Sequence, residues 1–224
     1  MAPRLSIIVP VRNEAATIRE ALEALAPLRS RGHEVIVVDG GSEDGSASLA
    51  QPACDALLVT PPGRALQMNR GALVASGEAL LFVHADTRLP ERADELIFAA
   101  LARAQWGRFD VRIASRHRLL VLVGCAMNLR SRLTGIATGD QAMFVRREAF
   151  CGFPELPLME DIALSRLLKR RGRPACLRAR VSTSARRWEA RGVLRTIWLM
   201  WRLRLLYALG APPQRLARDY GDQR

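Results

Sequence analysis

The first ninety or so residues alternate between short apolar runs and longer segments with one apolar face. The apolar runs lie at 5–10, 34–39, 56–60 and 78–84. Continuous runs of this length are typical of strands buried on both faces of a parallel sheet. Ile18, Leu22 and Leu25 recur at helical spacing in a predicted helix over about 14–28, and 64–76 forms a second predicted helix. Strands that alternate with helices predict right-handed crossovers and a mostly parallel α/β sheet.

The alternation loosens after Pro90, where helices predominate. Further helices are predicted up to about residue 103 and over 119–133, 160–171 and 192–209, and strands over 109–115, 142–145 and, at an edge, 175–181. The tail from Ala211 is polar. Ser42 is the expected N-cap of the helix that follows it. No internal repeat interrupts this order of elements.

Composition is that of a folded globular protein with an anionic partner. Apolar residues are 49% of 224, enough for a packed core, whereas aromatic residues at 5% are too few for base-stacking platforms. The net charge is +12, and Lys169 is the only lysine, so nearly all positive charge is arginine. Arginine suits bidentate phosphate contacts, although a GC-rich genome produces the same bias. No nucleic-acid partner is expected, because no nucleic-acid motif is present.

Cysteine usage and hydropathy bear on the compartment. The four cysteines are far apart and predict buried free thiols in a reducing cytosol: Cys54, Cys125, Cys151 and Cys176. The first residues contain no signal-peptide core. The longest charge-free apolar stretch, 119–127, is too short to span a bilayer. A cytoplasmic protein is therefore expected.

Polar residues follow three predicted strands at the point where each strand ends. The segments are Pro10-Val11-Arg12-Asn13-Glu14, Asp39-Gly40-Gly41-Ser42 and His84-Ala85-Asp86. Ligands of parallel sheets bind beyond the carboxyl ends of the strands. One such end is accounted for by turn chemistry, but three at the same edge predict a binding site.

These segments resemble family 2 glycosyltransferases. The resemblance covers nearly the whole chain and rests on VPVRNE at 9–14, VVDGGSEDGS at 37–46 and the Asp-ending triplet at 84–86. Residues 64–71 and 183–189 are similar to a compact bacterial subgroup found beside radical-enzyme and arsenosugar biosynthesis genes.

The resemblance implies a GT-A fold, a Rossmann-like and mostly parallel sheet flanked by helices. The domain is expected over 1–210, with a nucleotide-binding half at 1–90, an acceptor-side half at 91–210 and a polar tail at 211–224. The implied activity is transfer of a sugar, with inversion and without processivity, from a nucleotide-diphosphate sugar to an acceptor hydroxyl. A UDP-sugar donor, a small-molecule or lipid acceptor and a Mg²⁺ or Mn²⁺ ion are the expected partners.

The resemblance also implies the residues that bind the donor. They are Pro10, Arg12, Glu14, Asp39, Arg64, Gln67, Asn69, Ala85, Asp86 and Arg187. Asp39 would bind the nucleoside, although an Asx-turn explains the same residue; Glu14 and Arg64 are equally explained as a helix start and a solvated face. Asp86 is the expected metal ligand, since a hard cation held by a carboxylate offsets charge on the leaving diphosphate. The family motif is Asp-x-Asp, and His84 replaces its first acid.

The implied catalytic pair is Glu160 and Asp161, which opens a predicted helix. Inverting transfer needs a carboxylate to take the acceptor proton, and adjacent side chains point in different directions. Asp161 is therefore expected to be the base and Glu160 its support, whereas the residues alone fit acids favoured at a helix start. The implied acceptor side consists of Gly139, Asp140, Gln141 and Trp188.

Two other classes of protein remain open at this stage. A nucleotidyltransferase or a sugar-nucleotide-binding protein shares the sheet type, but the 10–14 segment lacks the Gly-rich loop with lysine that such enzymes carry. A membrane-surface module would use the basic, apolar C-terminal helix with Trp198 and Trp201. Arg202 and Arg204 fall on nearly opposite faces of that helix, so packing against the domain is an equal alternative.

Overall fold

The computed structural model describes residues 4–221, apart from the side chain of Arg187. Within this range the strands are β1 Leu5–Val11, β2 Glu34–Asp39, β3 Ala56–Val59, β4 Ala79–Phe82, β5 Thr87–Arg88, β6 Trp106–Ala114, β7 Phe144–Arg146 and β8 Ala175–Ser184. The helices are α1 Ile18–Ser30, α2 Ser46–Ala50, α3 Arg64–Val74, α4 Ala93–Leu101, α5 Arg118–Thr134, α6 Glu160–Leu168, α7 Arg186–Arg191, α8 Val193–Ala208 and α9 Pro213–Gly221.

All of these strands belong to one sheet, in the order β3-β2-β1-β4-β7-β6-β8-β5. The first four strands of that order are parallel, and β7 then runs antiparallel between β4 and β6. The predicted α/β class with a mostly parallel sheet is confirmed. The prediction of an edge strand near 175–181 is wrong, because β8 lies between β6 and the two-residue β5, which is too short to leave a periodic pattern.

Alternation along β1 explains why the sheet is covered on both faces. Ile7 and Val9 pack with Leu22 of α1 in one core cluster, whereas Ile8 packs with Met68 of α3 in another. Successive side chains of a strand point to opposite faces, and burying each of these residues contributes roughly 1.5–3 kcal/mol. Gly71 lets α3 approach, because a Cβ there would lie 2.6 Å from Cγ2 of Ile8.

The loops at the carboxyl end of the sheet differ from the prediction in two places. Helix α1 begins at Ile18, and the residues before it form a turn tied to the loop after β2 through hydrogen bonds from the Asn13 and Glu14 N–H groups to Ser42 and Ser46 hydroxyls. Ser42 caps no helix, because α2 begins at Ser46 and the Ser42 hydroxyl bonds Asp39 instead.

The thiols and the C-terminal tail also differ in part from the prediction. The four thiols are free as predicted, but none is fully buried: Cys54 and Cys176 are half-buried, and Cys125 and Cys151 are exposed. The polar tail contains α9, whose Leu216 is buried against Leu199 and Leu203 of α8. Across the described range, no helix has both the length and the apolar character needed to cross a bilayer.

Candidate active site

The predicted strand ends do meet at one edge of the sheet. β1 is paired in parallel with both β2 and β4, so the segments after these strands are neighbours. The Gly40 N–H donates to the Val11 carbonyl at 2.8 Å, and the Gln67 side-chain amide donates to the carbonyls of Val11 and Val38, each at 2.8 Å. Gln67 therefore fixes the spacing of two strand ends, and its predicted contact with the donor stays a prediction.

Asp39 builds the turn after β2. Its carboxylate accepts hydrogen bonds from the N–H groups of Gly41 at 3.1 Å and Ser42 at 2.8 Å, and from the Ser42 hydroxyl. Only 2% of Asp39 is exposed. The Asx-turn role is thus present, and a nucleoside contact would use the remaining acceptor capacity of the carboxylate.

The other residues expected near the nucleoside surround this turn. Arg12 is exposed, Pro10 is half-buried, and the Glu14 carboxylate pairs with Arg186 at 3.0 Å. Arg186 was not predicted, because nothing in its sequence position links it to a residue 172 positions away.

The side-chain amide of Asn69 is hydrogen-bonded to the backbone of Phe153, whose N–H and carbonyl lie 2.7 and 2.9 Å from it.

A narrow cleft opens beside the end of β4. Its lining combines apolar residues with charged and polar ones: Arg64, Met68, Phe82, His84, Gly139, Met143, Phe153, Glu160 and Asp161. Four residues predicted for the site therefore share it, namely Arg64, Gly139, Glu160 and Asp161. The apolar residues of the lining were not predicted, since Phe82 and Met143 are indistinguishable from core positions in the sequence.

His84 packs directly on the turn Gly139–Gln141. A Cβ at position 139 would lie 2.6 Å from Cε1 of the imidazole, so a larger residue there would displace the His84 ring. The Nδ1 atom of His84 lies 3.8 Å from a carboxylate oxygen of Asp140. Gln141 is fully buried and closes the turn through a capping box with Thr138. The predicted acceptor-side segment therefore adjoins the residue that replaces the first acid of the triplet.

Arg64 and Glu160 form an ion pair across the cleft at 3.1 Å. Burial raises the pKa of the Glu160 carboxyl, Arg64 opposes that rise, and the neighbouring Asp161 carboxylate adds to it. Burial likewise opposes the charge of Arg64, but Glu160 and Asp161 outweigh it and raise the pKa of the guanidinium. Arg64 thus has an ion-pair partner, although its side chain is 36% exposed.

Asp161 is held by two backbone donors. The Gly139 N–H donates to its Oδ2 at 2.9 Å, and the Ile162 N–H donates to its Oδ1 at 2.7 Å. Met159 precedes the pair with a positive φ of 68°, which turns the chain sharply into α6. A carboxylate has about four lone-pair positions, so Asp161 keeps acceptor capacity toward the cleft after these two bonds.

Asp86 follows β4 and is half-buried. Its backbone carbonyl accepts from the Ser184 N–H at 3.2 Å, and the Thr87 hydroxyl lies 3.4 Å from its Oδ1. No cluster of three or more His, Cys, Asp or Glu side chains suited to a metal occurs in the described part of the chain. Mg²⁺ commonly takes one or two protein carboxylates and completes its shell with substrate phosphates and water. One carboxylate therefore fits a cation that is bound together with a diphosphate.

The remaining predicted residues lie outside the cleft lining. Ala85 is 4% exposed and belongs to the core, so its methyl group is unavailable to a ligand. Trp188 is half-buried against Ile113 and Leu120. The side chain of Arg187 lies outside the described residues, and its predicted contact with the diphosphate stays a prediction.

The family model described as glycosyl transferase family 2 matches residues 6–121. The chain belongs to glycosyl transferase family 2. The PGL/p-HBAD biosynthesis glycosyltransferase of Mycobacterium bovis is 38% identical over 102 residues, which are 42% of this chain and 40% of that protein. The glycosyltransferase GlyG of Streptococcus pneumoniae is 28% identical over 109 residues, 44% of this chain and 35% of that protein. This family 2 chain thus aligns with less than half of the length of these curated relatives.

A solved structure extends the comparison to most of the fold. Glucosyl-3-phosphoglycerate synthase from Mycobacterium tuberculosis, crystallised with Mn²⁺, UDP and phosphoglyceric acid, matches with a TM-score of 0.61 at 22% sequence identity. The match covers 81% of this family 2 member and 70% of the synthase. The likeness establishes the predicted GT-A fold.

Proposed function

We propose that this protein transfers a sugar, with inversion and without processivity, from a nucleotide-diphosphate sugar to an acceptor hydroxyl. One observation carries the proposal: in a family 2 fold, the Glu160–Asp161 pair and Arg64 line a cleft beside the end of β4, where Asp86 follows. A bound sugar in that cleft would have a base on one side and the leaving diphosphate on the other. Neither a nucleotidyltransferase nor a simple binding protein needs that pair.

Asp161 is the proposed base. The acceptor oxygen attacks the anomeric carbon, its proton moves to Asp161, and the bond from that carbon to the β-phosphate oxygen breaks. The two N–H donors that orient Asp161 hold its free lone pairs in place for this transfer. Glu160 supports the base by holding Arg64 at 3.1 Å.

The proposed donor is a UDP-sugar bound with Mg²⁺ or Mn²⁺. The structurally similar synthase was crystallised with UDP and Mn²⁺, with UDP and Mg²⁺, and with UDP-glucose and Mn²⁺. In this chain Asp86 would hold the cation, which would neutralise charge that develops on the leaving diphosphate. Asp39 and the residues around its turn would bind the nucleoside.

Short motifs of the chain support a more specific proposal about its subgroup within the family. Residues 64–71 and 183–189 support the compact bacterial subgroup found beside radical-enzyme and arsenosugar biosynthesis genes. Arg187 and Trp188 resemble the end of the Gln-x-x-Arg-Trp motif of processive synthases, but Ser184 stands at the glutamine position, which favours a single transfer per acceptor. We assign 1–90 to the nucleotide-binding half of the domain and 91–210 to the acceptor-side half.

A small molecule or a lipid is the proposed acceptor, at the inner face of the membrane. Helix α8 and the residue that caps its C-terminal end form an exposed apolar stripe at helical spacing: Leu194, Trp198, Trp201, Leu205 and Leu209. Its opposite face packs through Leu199 and Leu203, so the helix combines the two roles that its sequence left open. Exposed Arg195, Arg215 and Arg218 lie on α8 and α9. A basic helix with exposed tryptophans favours contact with anionic lipid.

The direct test of the function is a donor panel. UDP-, GDP-, CDP- and dTDP-sugars are incubated with the protein and Mg²⁺ or Mn²⁺, and release of the nucleoside diphosphate is measured with water or lysate fractions as the acceptor source. We expect release from one class of donor, dependent on the cation. A panel in which no donor is cleaved and none raises the melting temperature would exclude the proposal, since a ligand at about 100 times its Kd stabilises by roughly 2.7 kcal/mol.

A further inference from the structure

Arg130 of α5 is half-buried, and two of its guanidinium nitrogen atoms have no hydrogen-bond partner among the described residues. Its Nε and Nη2 atoms are buried and have no hydrogen-bond partner anywhere in residues 4–221, Arg187 excepted. An unpaired buried charge costs several kcal/mol, because desolvation is not repaid by a partner. Such a group calls for a partner from outside the chain, which is either water or a bound anion.

Arg108 provides the contrast within the same part of the fold. It is fully buried, yet its Nε donates to the Ser131 hydroxyl at 3.0 Å, its Nη2 donates to the Asn128 carbonyl at 3.2 Å, and its Nη1 pairs with Asp110. All three nitrogen atoms of the Arg108 guanidinium group therefore have a partner, whereas two nitrogen atoms of Arg130 have none in the described range.

A second arginine lies near Arg130 on another helix. Ile136, two residues beyond α5, packs in one cluster with Ile162 of α6 and Leu203 of α8. This cluster brings the end of α5, the start of α6 and the middle of α8 together, and Arg204 is the residue after Leu203. Arg204 is half-buried and has no ion pair in the part of the chain that the structure describes.

The proposed base is among the charged groups that act on both arginines. Burial and, next, the charge of Arg204 together lower the pKa of Arg130 to about 10, and Asp161 and Asp140 oppose the change. Burial also lowers the pKa of Arg204, again opposed by Asp161 and Asp140. The charge of Arg204 thus disfavours that of Arg130, and for both arginines the carboxylates only partly offset burial.

We infer that Arg130 and Arg204 form a subsite for an anionic group, a phosphate monoester or a carboxylate, carried by the acceptor. Two guanidiniums match the planar, multi-oxygen geometry of such anions. Because the pair adjoins Asp161, an anion bound there would present a neighbouring hydroxyl of the same molecule to the base. This inference rests on the proposed function for the role of the ligand, but the anion site itself can be tested without turnover.

The test uses glycerol 3-phosphate as a free phosphate monoester and vesicles containing phosphatidic acid as a lipid source of the same group. Affinities and melting temperatures are measured for the parent protein, Arg130→Gln, Arg204→Gln and the control Arg112→Gln. Arg112 is exposed on β6, so the control removes the same charge from a site without an anion role. We expect each subsite variant to weaken anion binding about tenfold to a hundredfold and the control to leave it unchanged.

Melting temperature without ligand separates an anion subsite from a structural arginine. Arg130→Gln is expected to melt at or above the parent temperature, since it removes an uncompensated charge. A lower melting temperature with unchanged anion affinity would overturn the inference, and so would a parent protein that binds neither probe. Binding to the vesicles alone would identify a lipid phosphate, and binding to glycerol 3-phosphate would identify a free one.

A repeat with UDP and Mn²⁺ present distinguishes this subsite from the donor site. Additive stabilisation by glycerol 3-phosphate and UDP supports an acceptor subsite, whereas competition between them would assign the arginines to the donor diphosphate and overturn the inference. Failure of UDP and of every other nucleotide to bind would contradict the proposed function while leaving the anion measurement intact.

Discussion

At the scale of residues, the proposed mechanism depends on how the roles of base and support are divided between two adjacent acids. Glu160 is 3% exposed and is paired with Arg64, so little of its carboxylate can reach an acceptor. Asp161 is half-buried, accepts two N–H bonds and lines the same cleft. Their different surroundings favour Asp161 as the base, which is the assignment expected from the family resemblance.

Asp161→Asn tests the assignment of Asp161 as the base. The amide keeps the size of the side chain but cannot take a proton, so turnover should fall about a hundred- to ten-thousand-fold while donor affinity stays near the parent value. Turnover is measured as nucleoside diphosphate release, and affinity by calorimetric titration.

Glu160→Gln is the matched control for that variant. It removes the partner of Arg64 but not the base, and a milder loss of turnover is expected. If Glu160→Gln is inactive and Asp161→Asn is close to the parent rate, Glu160 is the base; if both stay active, the start of α6 has no catalytic role.

At the scale of elements, a buried ion cluster joins α1, β2 and α4. Asp94 accepts from Arg31 at 2.8 and 2.9 Å, and its Oδ2 lies 2.9 Å from Nε2 of His33. Burial alone would raise the pKa of Asp94, but these two partners outweigh it and lower the pKa from 3.8 to about 2. The ionised carboxylate therefore stabilises the folded state.

Asp94→Asn is expected to lower the free energy of unfolding by about 2 kcal/mol at pH 7, because each unit of pKa shift corresponds to about 1.4 kcal/mol. A lowered folded-state pKa gives stability that is fully present above the unfolded value of 3.8 and is lost as pH falls toward about 2. Urea unfolding of both proteins should thus show a difference at pH 7 that shrinks below about pH 4. A difference that is constant with pH would attribute the loss to packing.

The elements also show what the sequence could and could not predict. The strands with continuous apolar runs, such as β1 and β2, were predicted to within a residue, because both faces are buried and the pattern is local. The two-residue β5 and the inner position of β8 were not, since strand order depends on distant pairing. Arg130 and Arg204 have no local signal either, because they become neighbours only when α5 and α8 pack.

In the candidate site, too, local signals were readable from the sequence and contacts between distant residues were not. Asp39, Asp86, Glu160 and Asp161 were predicted from turn and helix-start positions together with the family resemblance. Gln67 and Asn69 were predicted as donor contacts, yet their amides are used by backbone groups of Val11, Val38 and Phe153. A polar residue on a helix gives no indication in sequence of whether its partner is a ligand or the chain itself.

At the scale of the whole molecule, charge and exposed apolar surface act together. The chain carries a net charge of +12. Trp198 is 62% exposed and Trp201 72% exposed on α8. Apolar surface inserted into the interface and basic side chains near anionic headgroups both favour binding to a membrane surface.

The double variant Trp198→Ser/Trp201→Ser should weaken binding to phosphatidylglycerol vesicles by at least about tenfold, measured by co-sedimentation in low salt. Leu73→Ser/Val74→Ser is the control, since these residues are 75% and 50% exposed on α3. Equal binding by both double variants would remove α8 from the membrane contact.

The account as a whole is tested most directly by titrating nucleoside diphosphates, with UDP first, into the protein with and without Mn²⁺ by calorimetry. We predict binding that requires the cation, is lost in Asp86→Ala and is retained in Asp161→Asn. Asp86 is half-buried at a strand end and makes only a weak side-chain contact at 3.4 Å, so Asp86→Ala should keep the fold. Binding that survives Asp86→Ala with the same dependence on Mn²⁺, or no binding of any nucleotide to the parent protein, would contradict the account.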